Sequence, residues 1–68
     1  MSRSISKQQE TRLAAGYSLT AAAALANVAP ATYRAFELDA DAVTPAKRQT
    51  CATAVERMAE VARLKLAS

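Results

Sequence analysis

The side chains able to do chemistry in this chain are almost all arginines, lysines and carboxylates; histidine is absent and Cys51 is the one cysteine. Without histidine, the usual zinc arrangements and imidazole acid–base catalysis are missing from the start. A lone thiol with no partner at motif spacing carries no signal of reactivity and excludes an internal disulfide, which suits a reducing, cytosolic setting. Asp39 and Asp41 stand two apart in an acidic stretch, where carboxylates serve helix ends and solubility more simply than acid catalysis. Gly16 is the one glycine, so no glycine-rich loop can cradle a phosphate. These residues point to binding rather than catalysis, with no metal and no cofactor.

The cations are placed in a way that favours a polyanionic partner. Residues 1–36 hold Arg3, Lys7, Arg12 and Arg34 against Glu10, and residues 46–68 hold Lys47, Arg48, Arg57, Arg63 and Lys65 against Glu56 and Glu60. Each of these segments is therefore net +3, and they flank an acidic one, Glu37, Asp39 and Asp41, for an overall charge of +3. Basic segments of this kind suit nucleic acid, though the signal is weak alone. No stretch approaches the ~20 apolar residues that span a bilayer. No apolar run follows Arg3 and Lys7 as in a signal peptide, so the expected location is the cytoplasm.

The elements that must position these charges are helices. Alanine dominates and has the best helix propensity, with Leu, Met, Arg, Lys, Gln and Glu close behind it in propensity, and no segment alternates as a half-buried strand would. The first helix is expected from near Ser4 or Ser6 up to Gly16, a left-handed closing residue. Ser18 caps the second helix, which runs from Leu19 to about Ala26 and stops at Asn27, another residue tolerant of the left-handed region. Pro30 fits the first position of a third helix ending near Leu38, with Ala29 a poor cap in front of it. Asp39–Val43 reads as a short polar connector. Thr44-Pro45 then starts a fourth helix to about residue 66. The expected fold is thus one all-α domain over residues 1–68, compact, of four or five helices, with a long C-terminal helix. A core in 68 residues supplies only ~3–5 kcal/mol, so good helix packing or a partner chain is needed.

From Arg12 to Glu37 the chain resembles, without gaps, the Cro/C1-type (XRE) helix-turn-helix domain of small phage and plasmid repressors. The residues that carry the resemblance are Arg12, Gly16, Tyr17, Ser18, Ala22, Ala23, Asn27, Val28, Ala29, Tyr33, Phe36 and Glu37. It implies a helix-turn-helix over residues 18–37, with the third helix entering the major groove. It also implies an ion pair between Arg12 and Glu37 joining the first and third helices. Three departures stand out: Asn27 replaces the turn glycine, Ala22 a larger core residue, and Ala29-Pro30 the polar start of the third helix.

On that scaffold Arg34 is the leading base contact, since arginine reads guanine O6 and N7 in the commonest specific contact. Thr32, Ala31 and Ala35 offer methyl groups to thymine, Thr32 adds a hydroxyl, and Pro30 begins the same face. Phosphate contacts are expected from Ser18 at its helix start, from Lys47 and Arg48, and from Arg3 and Lys7. A helix N-terminus disfavours cations, so Lys47 and Arg48 in the first turn hint at an anion. In the fourth helix Cys51, Val55, Met58, Ala62 and Lys65 recur at intervals of 4, 3, 4 and 3, with Val61 and Leu64 in a second line. This stripe is wider than one small core needs, which suggests a dimer interface of Cys51, Val55, Met58, Val61, Ala62 and Leu64. The resulting expectation is a homodimeric transcriptional regulator, a repressor on a palindromic double-stranded DNA operator. The competing expectation is a helical protein-binding module, antirepressor- or antitoxin-like, that does not read DNA.

Overall fold

The structure, a computed structural model, describes residues 6–67. Four α-helices follow one another: α1 (Lys7–Ala15), α2 (Leu19–Ala26), α3 (Pro30–Leu38) and α4 (Pro45–Ala67). A single 3-10 turn at Ala40–Ala42 lies between α3 and α4, and no strand occurs among the described residues. The 23-residue α4 is the long C-terminal helix.

Local chemistry explains each start. The Ser6 hydroxyl accepts from the Gln9 amide at 3.1 Å, and the Ser18 hydroxyl accepts from the Ala21 amide at 3.0 Å. Thr44 Oγ1 accepts from the Lys47 amide at 3.4 Å, with Pro45 behind it supplying a pre-set φ. α3 is the exception. Ala29 precedes Pro30, and no side chain caps the helix.

The stops of α1 and α2 share one geometry built from two residue types. Gly16 (φ 80°) and Asn27 (φ 59°) both adopt the left-handed conformation. The Gly16 amide donates to the Leu13 carbonyl and the Tyr17 amide to that of Arg12. The Asn27 amide donates to Ala24 and the Val28 amide to Ala23 in the same crossed pattern. α3 ends differently, on Asp39 in extended backbone, whose Oδ1 accepts from the Asp41 amide at 3.1 Å and starts the 3-10 turn. That turn lies where the sequence suggested a plain connector.

The core is made mostly of small side chains. Ala15, Ala22, Ala23, Ala26, Ala54 and Ala62 are buried, with Tyr33, Phe36, Val43, Cys51 and Met58 filling the space between them. α1 packs on α4, and α2 packs on both α3 and α4. The residues that α2 fully buries are the alanines Ala22, Ala23 and Ala26, with Leu19 and Leu25 packed at the edge of the core, and the two buried aromatic rings come from α3. Tyr33 and Phe36 lie with ring centroids 5.9 Å apart at 45°, a favourable tilted contact.

The seam of α4 faces inward. Cys51 and Met58 are wholly buried and Ala62 nearly so within the chain's own core, which corrects their assignment to a dimer interface. The same stripe that suggested a second chain is consumed by α1 and α2. Val55 and Val61 are half-buried against that core, and of the six expected dimer residues Leu64 alone is mostly exposed. Lys65 continues the seam to the end of α1: a Cβ built on Gly16 would lie 2.6 Å from its Nζ. A cation there also suits the negative end of the α1 dipole.

Gly16→Ala therefore meets both a left-handed backbone and the Lys65 ammonium. It should cost about 1–2 kcal/mol in urea unfolding, whereas Asn27→Gly should change stability by less than about 0.5 kcal/mol.

Candidate nucleic-acid interface

The side chains that fix the third helix come first, because they decide which face it can offer. Arg12 and Glu37 form a two-pronged ion pair: Nε to Oε2 at 2.7 Å and Nη2 to Oε1 at 3.4 Å. Nη1 of the same guanidinium donates to the Tyr17 carbonyl at 3.0 Å. One buried arginine thus ties α1, the α1–α2 turn and α3 together. Both residues are buried, at 9% and 6% exposure, so each depends mainly on the other for charge compensation. Such pairs orient more than they stabilise, while the loss of one member strands the other.

Tyr33 lies beside this pair. Its ring is fully buried and its hydroxyl has no hydrogen-bond partner among the described residues. Burial pushes the phenol pKa well above its ordinary value, and the negative charge of Glu37 adds to the rise. Tyr33, Phe36 and Glu37 commit one side of α3 to the interior. Cys51 is likewise interior, and burial raises its thiol pKa.

The opposite side of α3 is open. Pro30, Ala31 and Arg34 are exposed, and Thr32 and Ala35 are half-buried. The Arg34 guanidinium has no hydrogen-bond or ion-pair partner among the described residues, in contrast to the committed Arg12. Leu38, 73% exposed, closes this side at its C-terminal end next to Asp39 and Asp41. The face is therefore graded: uncapped at its start, cationic at its middle through Arg34, and apolar and acidic towards its finish.

Ala31, Thr32 and Ala35 form one wall of a cleft of about 350 Å³, and Ala42, Val43, Thr44 and Lys47 complete it. The structure thus brings three of the expected base contacts together with one expected phosphate contact. Ala42, Val43 and Thr44 were not anticipated at the site. Thr44-Pro45 was legible as a helix start, but no sequence signal says that the start lies across from α3.

The other expected phosphate contacts divide. Lys47 is exposed and its ammonium has no partner among the described residues. Ser18 is exposed, and Lys7 is exposed at the start of α1. Arg3 lies outside the described residues. Arg48 is a correction. Its Nε donates to the Ala40 carbonyl at 3.1 Å and its Nη2 to that of Val43 at 3.5 Å, so it clasps the 3-10 turn to α4. Those two carbonyls compensate a cation at a helix start, which removes the reason for expecting an anionic partner at that position. Among the described residues no cluster of His, Cys, Asp and Glu could hold a metal ion, and no helix is long and apolar enough to cross a membrane.

No family model, curated protein or solved structure matches the chain.

The Arg12–Glu37 pair can be tested through its asymmetry. Arg12→Met alone should cost about 3 kcal/mol or more in urea unfolding, because it buries an unpaired carboxylate. Arg12→Met with Glu37→Leu should recover most of that loss; costs that simply add would contradict the coupling.

Proposed function

We propose that this chain is a helix-turn-helix, sequence-specific DNA-binding regulator that reads duplex DNA with the open side of α3. The observation that carries the reading is the division of α3 into two faces. Tyr33, Phe36 and Glu37 are locked inside, while Arg34 lies exposed on the outside without a partner among the described residues. A guanidinium free of internal bonds keeps its paired donors for guanine O6 and N7. The uncapped first turn of α3 supports the same orientation, since free amides at a helix start suit a phosphate. Lys47 supplies positioning charge, and Leu38, Asp39 and Asp41 belong to the end held away from DNA.

A regulator of this kind acts by occupancy: bound across a promoter, it excludes polymerase and represses. As a homodimer it would read an inverted repeat with half-site centres ~34 Å apart, or a multiple of this. The surface left for self-association is the last turns of α4, where Leu64 and Leu66 are 67% and 85% exposed. Those same leucines, with Leu38, favour a second reading, in which the chain is a helical module that binds protein alone.

Selection of bound sequences from random duplexes, followed by titration at two salt concentrations, separates these readings. An enriched motif is expected, and Arg34→Ala should weaken binding to it about tenfold or more while relaxing one position. Binding without sequence preference, or no binding, would overturn the proposal. Sedimentation of the chain at micromolar concentration checks the dimer, and a strict monomer both free and on DNA would reject that part.

A further inference from the structure

The cleft beside α3 has a chemistry of its own. It is assembled from three successive segments: the open side of α3, the 3-10 turn with the chain leaving it, and the start of α4. Its lining residues are mostly small and apolar, Ala31, Ala35, Ala42 and Val43, joined by Thr32 and Thr44, each of which carries a methyl group. The polar side chains that line it are Thr32, Thr44 and Lys47, the Thr44 hydroxyl being already engaged as the cap of α4. No carboxylate lines it, although Asp39 and Asp41 are only a few residues away in the chain. The site therefore combines an apolar floor with a single positive charge.

We propose that this cleft is a thymine-reading subsite: it takes the 5-methyl edge of a thymine, with Lys47 on a neighbouring phosphate. The inference rests on the DNA-reading proposal above and adds to it the base that the bare part of α3 selects. Thymine is the one base that presents a methyl group in the major groove. Its methyl gains by leaving water for an apolar surface, at a magnitude that corresponds to about a three- to fivefold change in affinity. Uracil in its place keeps every hydrogen bond of the base pair and loses only that contact. The positive rim complements DNA rather than a neutral apolar side chain. Specificity is then divided: Arg34 reads a guanine by hydrogen bonds, and the cleft reads a thymine by shape and apolarity.

The test uses the full chain and the duplex recovered by selection, with each thymine replaced in turn by deoxyuridine. At one or two thymines per bound subunit, the replacement should weaken binding about three- to fivefold. Ala31→Leu, an exposed position whose larger side chain fills the cleft, should erase that thymine–uracil difference while circular dichroism confirms the fold. Thr44→Ser removes a methyl and keeps the helix cap, and should reduce the same difference. Lys47→Gln should weaken thymine and uracil duplexes alike and lower the salt dependence. Uracil tolerated at every position, with the selected motif still preferred, would overturn this subsite and leave the broader proposal standing. Failure to recover any preferred motif would overturn both. A thymine–uracil difference unchanged in Ala31→Leu would place the methyl contact elsewhere and reject the cleft.

Discussion

Everything about the third helix depends on one buried guanidinium. Arg12 spends two prongs on Glu37 and a third donor on the Tyr17 carbonyl, so it fixes α3 to both α1 and the turn that leads into α2. A helix of nine residues held only by Tyr33 and Phe36 could rotate about its axis by small repacking of neighbours. The fork opposes this, because rotation would pull a buried carboxylate away from the guanidinium that compensates its charge. The outward side of α3 is consequently defined by an interaction on its inward side. That is the physical sense in which a charged pair in the core is connected to a surface with free Arg34.

The second constraint is the scarcity of large side chains. Among the described residues six of the eleven buried apolar ones are alanines, and the volume between helices is filled by Tyr33, Phe36, Met58 and Cys51. Helices so packed approach closely, and a stripe that looks excessive on a wheel is absorbed by them. The connection from α3 to α4 carries a further internal clasp, in which Arg48 holds the carbonyls of Ala40 and Val43. This clasp sets the distance between α3 and the start of α4, and hence the width of the methyl-lined cleft.

Much of the fold was legible because helix ends are local chemistry. Ser18, Asn27, Pro30 and Thr44-Pro45 marked boundaries that the structure places at the same residues, and Gly16 closed α1 as a left-handed residue must. The 4-3-4-3 seam was legible as a buried stripe but not as to what buries it, since an internal helix and a second chain leave the same pattern. Cys51, Met58 and Ala62 were misassigned for that reason. Arg48 was misread because its partners are backbone carbonyls, which no side-chain pattern announces. The cleft was invisible for a related reason: its walls come from segments whose apposition depends on the Arg48 clasp and the 3-10 turn.

The most direct test of the DNA-reading face is amide chemical-shift mapping of the labelled chain during titration with a selected duplex. Perturbations should concentrate at residues 29–35 and 42–48, while the buried side of α4 around Cys51 and Met58 stays unmoved. Perturbations confined to Leu13, Leu64 and Leu66, with residues 29–35 silent, would contradict the assignment of α3 as the reading helix.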